Sequence, residues 1–471
     1  MKCNIFNLHK EYDIEVKYSL KELFRHIDIK IEFVDKIDYT DETPLIIYGP
    51  FNVDISILKG PVLHINILST LFNNNFYKTT SIPVKKFEYN DIPIFFFGGL
   101  KPWFKSGDKF YLETNIDFPA TLFFFLTLYD EYVNVGDNDL HDRYQFESSF
   151  IHKMGLINTP IVDLTVGLLI DELKKIGLCL SYKNYWGSAE FGCCITQDVD
   201  NLTKFGPFYK ELYRHSKLLK TPKNLFIRAG QYIKSKVDVT RDPYWTFDDN
   251  FLYDYPFTYF FLIGGSSNHD KKYFNKNLLK KLLKKINLQQ SEIGLHTSYS
   301  SFGVIDAITE EKAYLEKMAL TQVNGNRNHW LRFDVSKSWD IYDSLEFTYD
   351  ATVGFAEHEG FRAGTCKPFK AYSHLNRKML ELWEIPLIVM DGTLVQEKYR
   401  GLDINEAKNN VIKLIDTVRT HNGVFTILWH NSSFVDEFLT WGNMLKNTIE
   451  YCADNGALGF TISNMLQNIK D

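Results

Sequence analysis

From about residue 190 to the end of the chain, short runs of apolar β-formers alternate with longer amphipathic stretches. GCCIT (192–196), FTYFFLIGG (257–265) and SEIGLH (291–296) read as strands, and strand-like segments recur at 351–355, 385–390, 424–429 and 457–462. Between them, helical periodicity fits 205–220, 272–286, 309–323, 404–420 and 436–453. A short apolar run ended by turn residues is a buried strand. Strands separated by helix-length segments pair in parallel with the helices packed outside, as an open sheet or a barrel. The basic helix over 272–286 carries Leu278, Leu279, Leu282, Leu283 and Ile286 on one face, which suits shielding a sheet better than lying on a membrane.

Unusual residues follow these strands. GCCIT runs into Asp198 and Asp200, EIGL into His296, Thr297 and Ser300, QVNGN into Arg327 and His329, and FTILW into His430 and Asn431. In a parallel barrel, strand C-termini share one rim, where sites are built. Two carboxylates one residue apart repel, and the cost falls if one holds a cation and the other takes a proton. Asp and His suit a divalent metal of the zinc class, held by three protein ligands with an open position for water. The alternative for each strand end taken singly is a polar turn, a helix cap or a packed histidine; four in register argue for a site.

The rest of the chain sets bounds. With 471 residues, two domains are expected, and a composition 45% hydrophobic and 15% aromatic fills large cores. A net charge of −6 gives no support for nucleic-acid binding. The six cysteines show no CxxC spacing, which suits a reducing compartment without a disulfide framework. The polar N-terminus has no signal-peptide core, and no run of about 18 uncharged apolar residues is present, so a cytoplasmic chain without a membrane span is expected. Residues 1–100 read as a small α/β unit: strands at 29–35, 44–50 and 61–68, a helix at 15–27. Residues 101–185 read as helical, with strong helices over 119–133 and 161–177, and the domain boundary is expected near 185. Substrate docking, partner binding and support of the second domain all fit residues 1–185.

The set QDVD (197–200), GLHTSY (294–299), NRNHWLRFD (326–334), YDATVGF (349–355), GFRAGTCKPF (360–369) and ILWHN (427–431) resembles the polysaccharide deacetylase family, the NodB-homology or carbohydrate esterase family 4 fold. More narrowly it is similar to the bacterial branch with an additional N-terminal domain, found among surface-glycan biosynthesis proteins. The resemblance implies a distorted (β/α) barrel over 186–471, preceded by a smaller α/β and helical domain over 1–185. It implies Asp198 as catalytic base, Asp200 and His296 as metal ligands, His430 as general acid and Arg327 as the residue orienting the base. Asp350 and Arg362 fall in its later loops, and Thr297, Ser300, Trp330 and Trp245 join them as expected substrate contacts. The implied cofactor is a divalent metal, Zn²⁺ first, and the implied substrate an N-acylated carbohydrate. One departure stands out: where the family pattern has a second metal-binding histidine, this chain has Ser300. His329 is the candidate replacement; without it the chain would be a catalytically silent, glycan-binding relative. TFDD (246–249) copies the family's commonest first motif but ends eight residues before the strand at Phe257, too few for a helix of about eleven residues and two loops. It is read as an insertion near the site. A glycoside hydrolase is disfavoured, since Asp198 and Asp200 share one loop and cannot flank a bond from opposite sides.

Overall fold

The computed structural model describes residues 1–52, 57–107, 110–205, 222–250, 255–270, 275–434 and 439–470. The helix expected over 205–220 lies outside them beyond residue 205. The chain forms two compact units. The first contains Met1–Gly187, Phe333–Asp343 and Gly360–Pro386; the second contains Ser188–Arg332, Ser344–Glu359 and Leu387–Asp471.

In the first unit, β1 (Lys2–Asn7), β2 (Lys30–Val34), β3 (Leu45–Tyr48), β4 (Val62–Ile65), β7 (Phe104–Ser106) and β8 (Tyr111–Thr114) form a sheet in the order β2-β1-β3-β4-β8-β7, parallel except for β7–β8. β5 (Phe87–Tyr89) and β6 (Ile92–Ile94) make a separate antiparallel pair. β7 and β8 correct the all-helical reading of 101–185. Their segment is short, and Tyr111, Leu112 and Thr114 are buried in pairing with β4. Helix Phe118–Leu126 is apolar on every face and every residue is buried; Asp117 caps it, accepting from the Ala120 amide at 3.1 Å, with Pro119 in the first turn. The single helix expected over 119–133 breaks at Leu128, whose φ of 51° interrupts the spiral before Tyr129–Val133. The segments drawn from the second half of the chain supply the antiparallel hairpin of β14 (Phe369–Ser373) and β15 (Lys378–Glu384).

In the second unit, β9 (Phe191–Val199), β10 (Phe257–Phe261), β11 (Glu292–Thr297), β12 (Gly325–Asn328), β13 (Tyr349–Asp350), β16 (Val389–Met390) and β17 (Val424–Leu428) lie in the order β13-β12-β11-β10-β9-β17-β16, and β18 (Ala457–Gly459) also pairs β9. All of these pairings are parallel. Every residue of β9 is buried, as the continuous apolar run requires of a strand covered on both faces. Helices Lys276–Leu288, Ile305–Ala319, Ile404–Thr420 and Leu439–Asp454 fall between the strands. The basic helix buries Leu279, Leu282, Leu283 and Ile286, the stripe expected to shield a sheet. No strand forms over 351–355, since β13 ends just before it at Asp350, and the strand character at 385–390 shrinks to β16; there, Leu387 donates to Val353 O and Ile388 to Thr426 O in irregular backbone. Among the described residues, no helix is long and apolar enough to cross a membrane.

Candidate metal centre

β9 continues three residues beyond GCCIT, so Asp198 lies within the strand and Asp200 directly after it. Side chains at i and i+2 of a strand share a face, which aims both carboxylates the same way. Register brings the other groups alongside. Asp198 pairs with Phe260, His296 pairs with Arg327, and Leu428 pairs with Thr196, so His430, two residues on, comes level with Asp198. Arg327 and His296 both sit inside strands, a residue or more earlier than turn positions, and both are buried.

One ligand atom from each of Asp200, His296 and His329 falls within 4.8 Å of the other two. His296 Nε2 is 3.6 Å and His329 Nε2 3.7 Å from Asp200 Oδ1. Bonds of 2.0–2.1 Å to a tetrahedral zinc would place neighbouring ligand atoms about 3.3 Å apart, and both histidine–carboxylate distances are within a few tenths of an ångström of that spacing. His296 Nδ1 lies 2.8 Å from the Arg327 carbonyl, which fixes its proton there and leaves Nε2, buried and without a hydrogen bond, facing the carboxylates. An orphaned buried nitrogen beside two carboxylates fits a cation. Burial, with some help from neighbouring His329, pushes the His296 pKa down, favouring the neutral ring a metal needs. The donor set suits a divalent metal.

Asp198 is 2% exposed and held from behind. Arg327 Nη1 donates to its Oδ1 at 3.0 Å and to Thr196 Oγ1 at 2.6 Å, and Nε donates to Ala351 O at 2.9 Å. The guanidinium stacks on Phe260, 4.5 Å from the ring centroid. Asp198 Oδ2 then lies 3.4 Å from His296 Nε2, beside the cation site. The room for Phe260 comes from Gly294: a Cβ there would lie 2.6 Å from the ring.

His430 is oriented by a residue the sequence reading missed. Asp391 accepts from the His430 amide at 2.8 Å and faces its Nδ1 at 2.7 Å, and Ser433 Oγ donates to the same carboxylate. Burial alone would lower the imidazole pKa, but Asp391, reinforced by Asp200 and Asp198, pushes it up to about 10. The ring is thereby kept as a cation able to give a proton. The signal was present: Asp391 follows the apolar segment 385–390 as Asp198 follows GCC. Asp270, which faces His329 Nδ1 at 3.8 Å, was also missed; it lies nine residues beyond β10 in a polar loop with no pattern to mark it.

The remaining expected site residues divide. Trp330 is next to His329, near Tyr299, His269 and Lys398. Trp245 Nε1 donates to Asp248 Oδ2, Asp248 is ion-paired to Lys285, and Thr246 Oγ1 reaches Gln197 Oε1 at 3.5 Å. Ser300 is exposed; its Oγ accepts from the Ser266 amide. Thr297 is buried and donates its hydroxyl to Asn326. Asn326 in turn donates to Asp350, which is also buried and accepts from Thr352. Thr297 and Asp350 thus brace β11, β12 and β13 against one another. Arg362 belongs to the first unit, where its guanidinium pairs with Glu131 through two bonds of 2.8 and 2.6 Å. In the same motif Thr365, Cys366 and Lys367 all bind Asp163. The long GFRAGTCKPF segment is thus engaged in the first unit's own packing.

The profile of a family of unknown function, DUF7033, matches residues 5–177, within the first unit. No curated protein is similar to the chain in sequence. Among solved structures, one described as a polysaccharide deacetylase from Mycobacterium smegmatis is 16% identical, with a TM-score of 0.40, over 62% of this chain and 92% of its own. Puue allantoinase is 12% identical, TM-score 0.40, over 60% and 91%. A structure described as a polysaccharide deacetylase from Pseudomonas aeruginosa PAO1 is 11% identical, TM-score 0.41, over 60% and 91%. Similarity this low does not carry chemistry from one protein to another, and the functional reading rests on the side chains themselves.

Proposed function

We propose that this chain is a metal-dependent hydrolase that removes an acyl group, acetyl in the simplest case, from the nitrogen of an N-acylated sugar in a cell-surface glycan or its precursor. The catalytic part is a NodB-type distorted barrel within residues 186–471, less the segments 333–343 and 360–386 that fold with the first unit, and residues 1–185 belong to an accessory domain. The observation that carries this reading is the convergence of Asp200, His296 and His329 within 4.8 Å, with the buried Asp198–Arg327 pair beside them.

A divalent cation bound there, Zn²⁺ first, supplies Lewis acidity toward the amide carbonyl and lowers the pKa of water. Asp200, His296 and His329 would hold it. Asp198, held in place by Arg327, takes the proton of the attacking water. His430, charged by Asp391, gives a proton to the departing amine. Trp330 and Trp245 offer faces on which a sugar ring stacks.

The test is deacetylation of N-acetylated chito-oligosaccharides by the zinc-loaded protein, read as released acetate. Asp198→Asn keeps the shape but not the base, so turnover should fall by about 10²–10⁴-fold while bound zinc is unchanged. Full activity in that variant sinks the assignment. A second reading, a catalytically silent glycan-binding protein of the same fold, is favoured by one observation, Ser300 in place of a histidine. Absence of zinc from the wild-type protein by elemental analysis would select it.

A further inference from the structure

We propose that Asp270 is the positioning residue that makes His329 a metal ligand, and that this pair takes over the work of the histidine missing at position 300. The inference rests on the metal site described under Proposed function. Asp270 is carried by a loop, yet its side chain is only 2% exposed. Its Oδ1 accepts from the Tyr299 amide at 2.6 Å, and its Oδ2 accepts from the amides of Ser300 at 3.2 Å and Ser267 at 3.0 Å and from Ser267 Oγ at 2.7 Å. Three of these four donors are on Oδ2, so the carboxylate is fixed in place while Oδ1, with one donor, keeps room to accept a second. It does pin the loop carrying Ser300.

The His329 ring lies between two carboxylates. Nε2 is 3.7 Å from Asp200 Oδ1 and Nδ1 is 3.8 Å from Asp270 Oδ1. His329 Nδ1 is buried and makes no hydrogen bond at that distance. A ring displacement of roughly 1 Å turns the contact into one. His296 has the same arrangement already closed, with Nδ1 on a carbonyl and Nε2 toward Asp200. An acceptor on the far nitrogen sets the tautomer and raises the basicity of the ligating one.

The backbone around His329 is also built for the task. Trp330 and Leu331, directly after it, have φ of 67° and 53°, a left-handed pair that non-glycine residues adopt only under strain. Asn328 donates through Nδ2 to Arg332 O at 2.7 Å and through its amide to Thr352 Oγ1 at 3.0 Å, spanning the turn. Strain braced in this way beside a ligand points to a position held for function.

The experiment is a chelator-competition titration with Zn²⁺ on the wild-type protein, Asp270→Asn, His329→Ala and the double variant. Asp270→Asn is expected to weaken zinc binding by about 10–100-fold in the wild-type background and to change nothing further once His329 is gone. No loss in the wild-type background, or the same loss with and without His329, overturns the proposal, because either means Asp270 does not act through that ring. A wild-type protein that binds no zinc removes the metal site itself, and this role with it. If Asp270→Asn does not fold, ¹⁵N spectra of the wild-type imidazoles with Cd²⁺ bound decide. Coupling of His329 to the metal through Nε2, with the proton on Nδ1, supports the assignment; coupling through Nδ1 overturns it.

Discussion

Asp391 grips His430 twice, through the ring and through the backbone amide, and this fixes both where the imidazole points and how it is charged. The linkage has a definite sign. The folded pKa, about 10, lies above the ordinary value of 6.5, so the folded state binds the proton more tightly than the unfolded chain. The resulting stability is fully present below pH 6.5 and is lost as pH rises through 10. In metal-free protein, the Tm of the wild type should therefore fall more between pH 7 and 10 than that of His430→Gln, measured by circular dichroism. Parallel curves for the two proteins would remove the charge from His430. Arg327 makes a contrasting case: it is fully buried, yet its Nη1 and Nε reach Asp198, Thr196 and a carbonyl. A buried guanidinium is tolerable only with such partners, and here they aim the carboxylate expected to act as base.

At the scale of elements, the site depends on neighbouring parallel strands staying in register. β9, β10, β11 and β12 set Asp198 level with Phe260 and, two residues further along β11, His296 level with Arg327, all on one face, and a slip of one residue would turn each side chain to the other face. Gly294 in β11 is part of that machinery, since its missing side chain is where the Phe260 ring sits. Gly294→Ala should cost about 1–3 kcal/mol in urea unfolding, as overpacking does. It should also reduce turnover by more than that loss explains, because the ring under Arg327 must move. A variant with wild-type turnover would show that Phe260 is mere filling.

For the whole molecule, metal and fold are linked. A cation that binds only the folded state stabilises it by about 2.7 kcal/mol when present at 100 times its dissociation constant. Zn²⁺ should raise the Tm of metal-free protein, a chelator should reverse the rise, and His296→Ala should abolish it, all by differential scanning calorimetry. An unchanged Tm on adding Zn²⁺ would argue that Asp200, His296 and His329 are a polar cluster only. The division of labour within the chain bears on how such data are read. Residues 333–343 and 360–386 fold with the first unit, so Arg362, Thr365 and Lys367 report on that unit's stability through Glu131 and Asp163.

Local pattern sufficed for much of this. Apolar runs bounded by turn residues located β9, β10, β11 and β17, because burying a strand on both faces demands a continuous apolar sequence. Periodicity set helix Ile404–Thr420 to the residue. Chemistry at strand ends picked out Asp200, His296 and His329, since carboxylates and imidazoles seldom gather where Gly, Asn and Ser suffice. Tertiary structure alone decided what touches what. Asp391 and Asp270 meet His430 and His329 across 39 and 59 residues of chain, and no periodicity encodes a contact at that separation. Nor did motif length reveal that Arg362 pairs with Glu131, 231 residues away: a buried guanidinium goes where a carboxylate can neutralise it, and only the folded chain shows where that is.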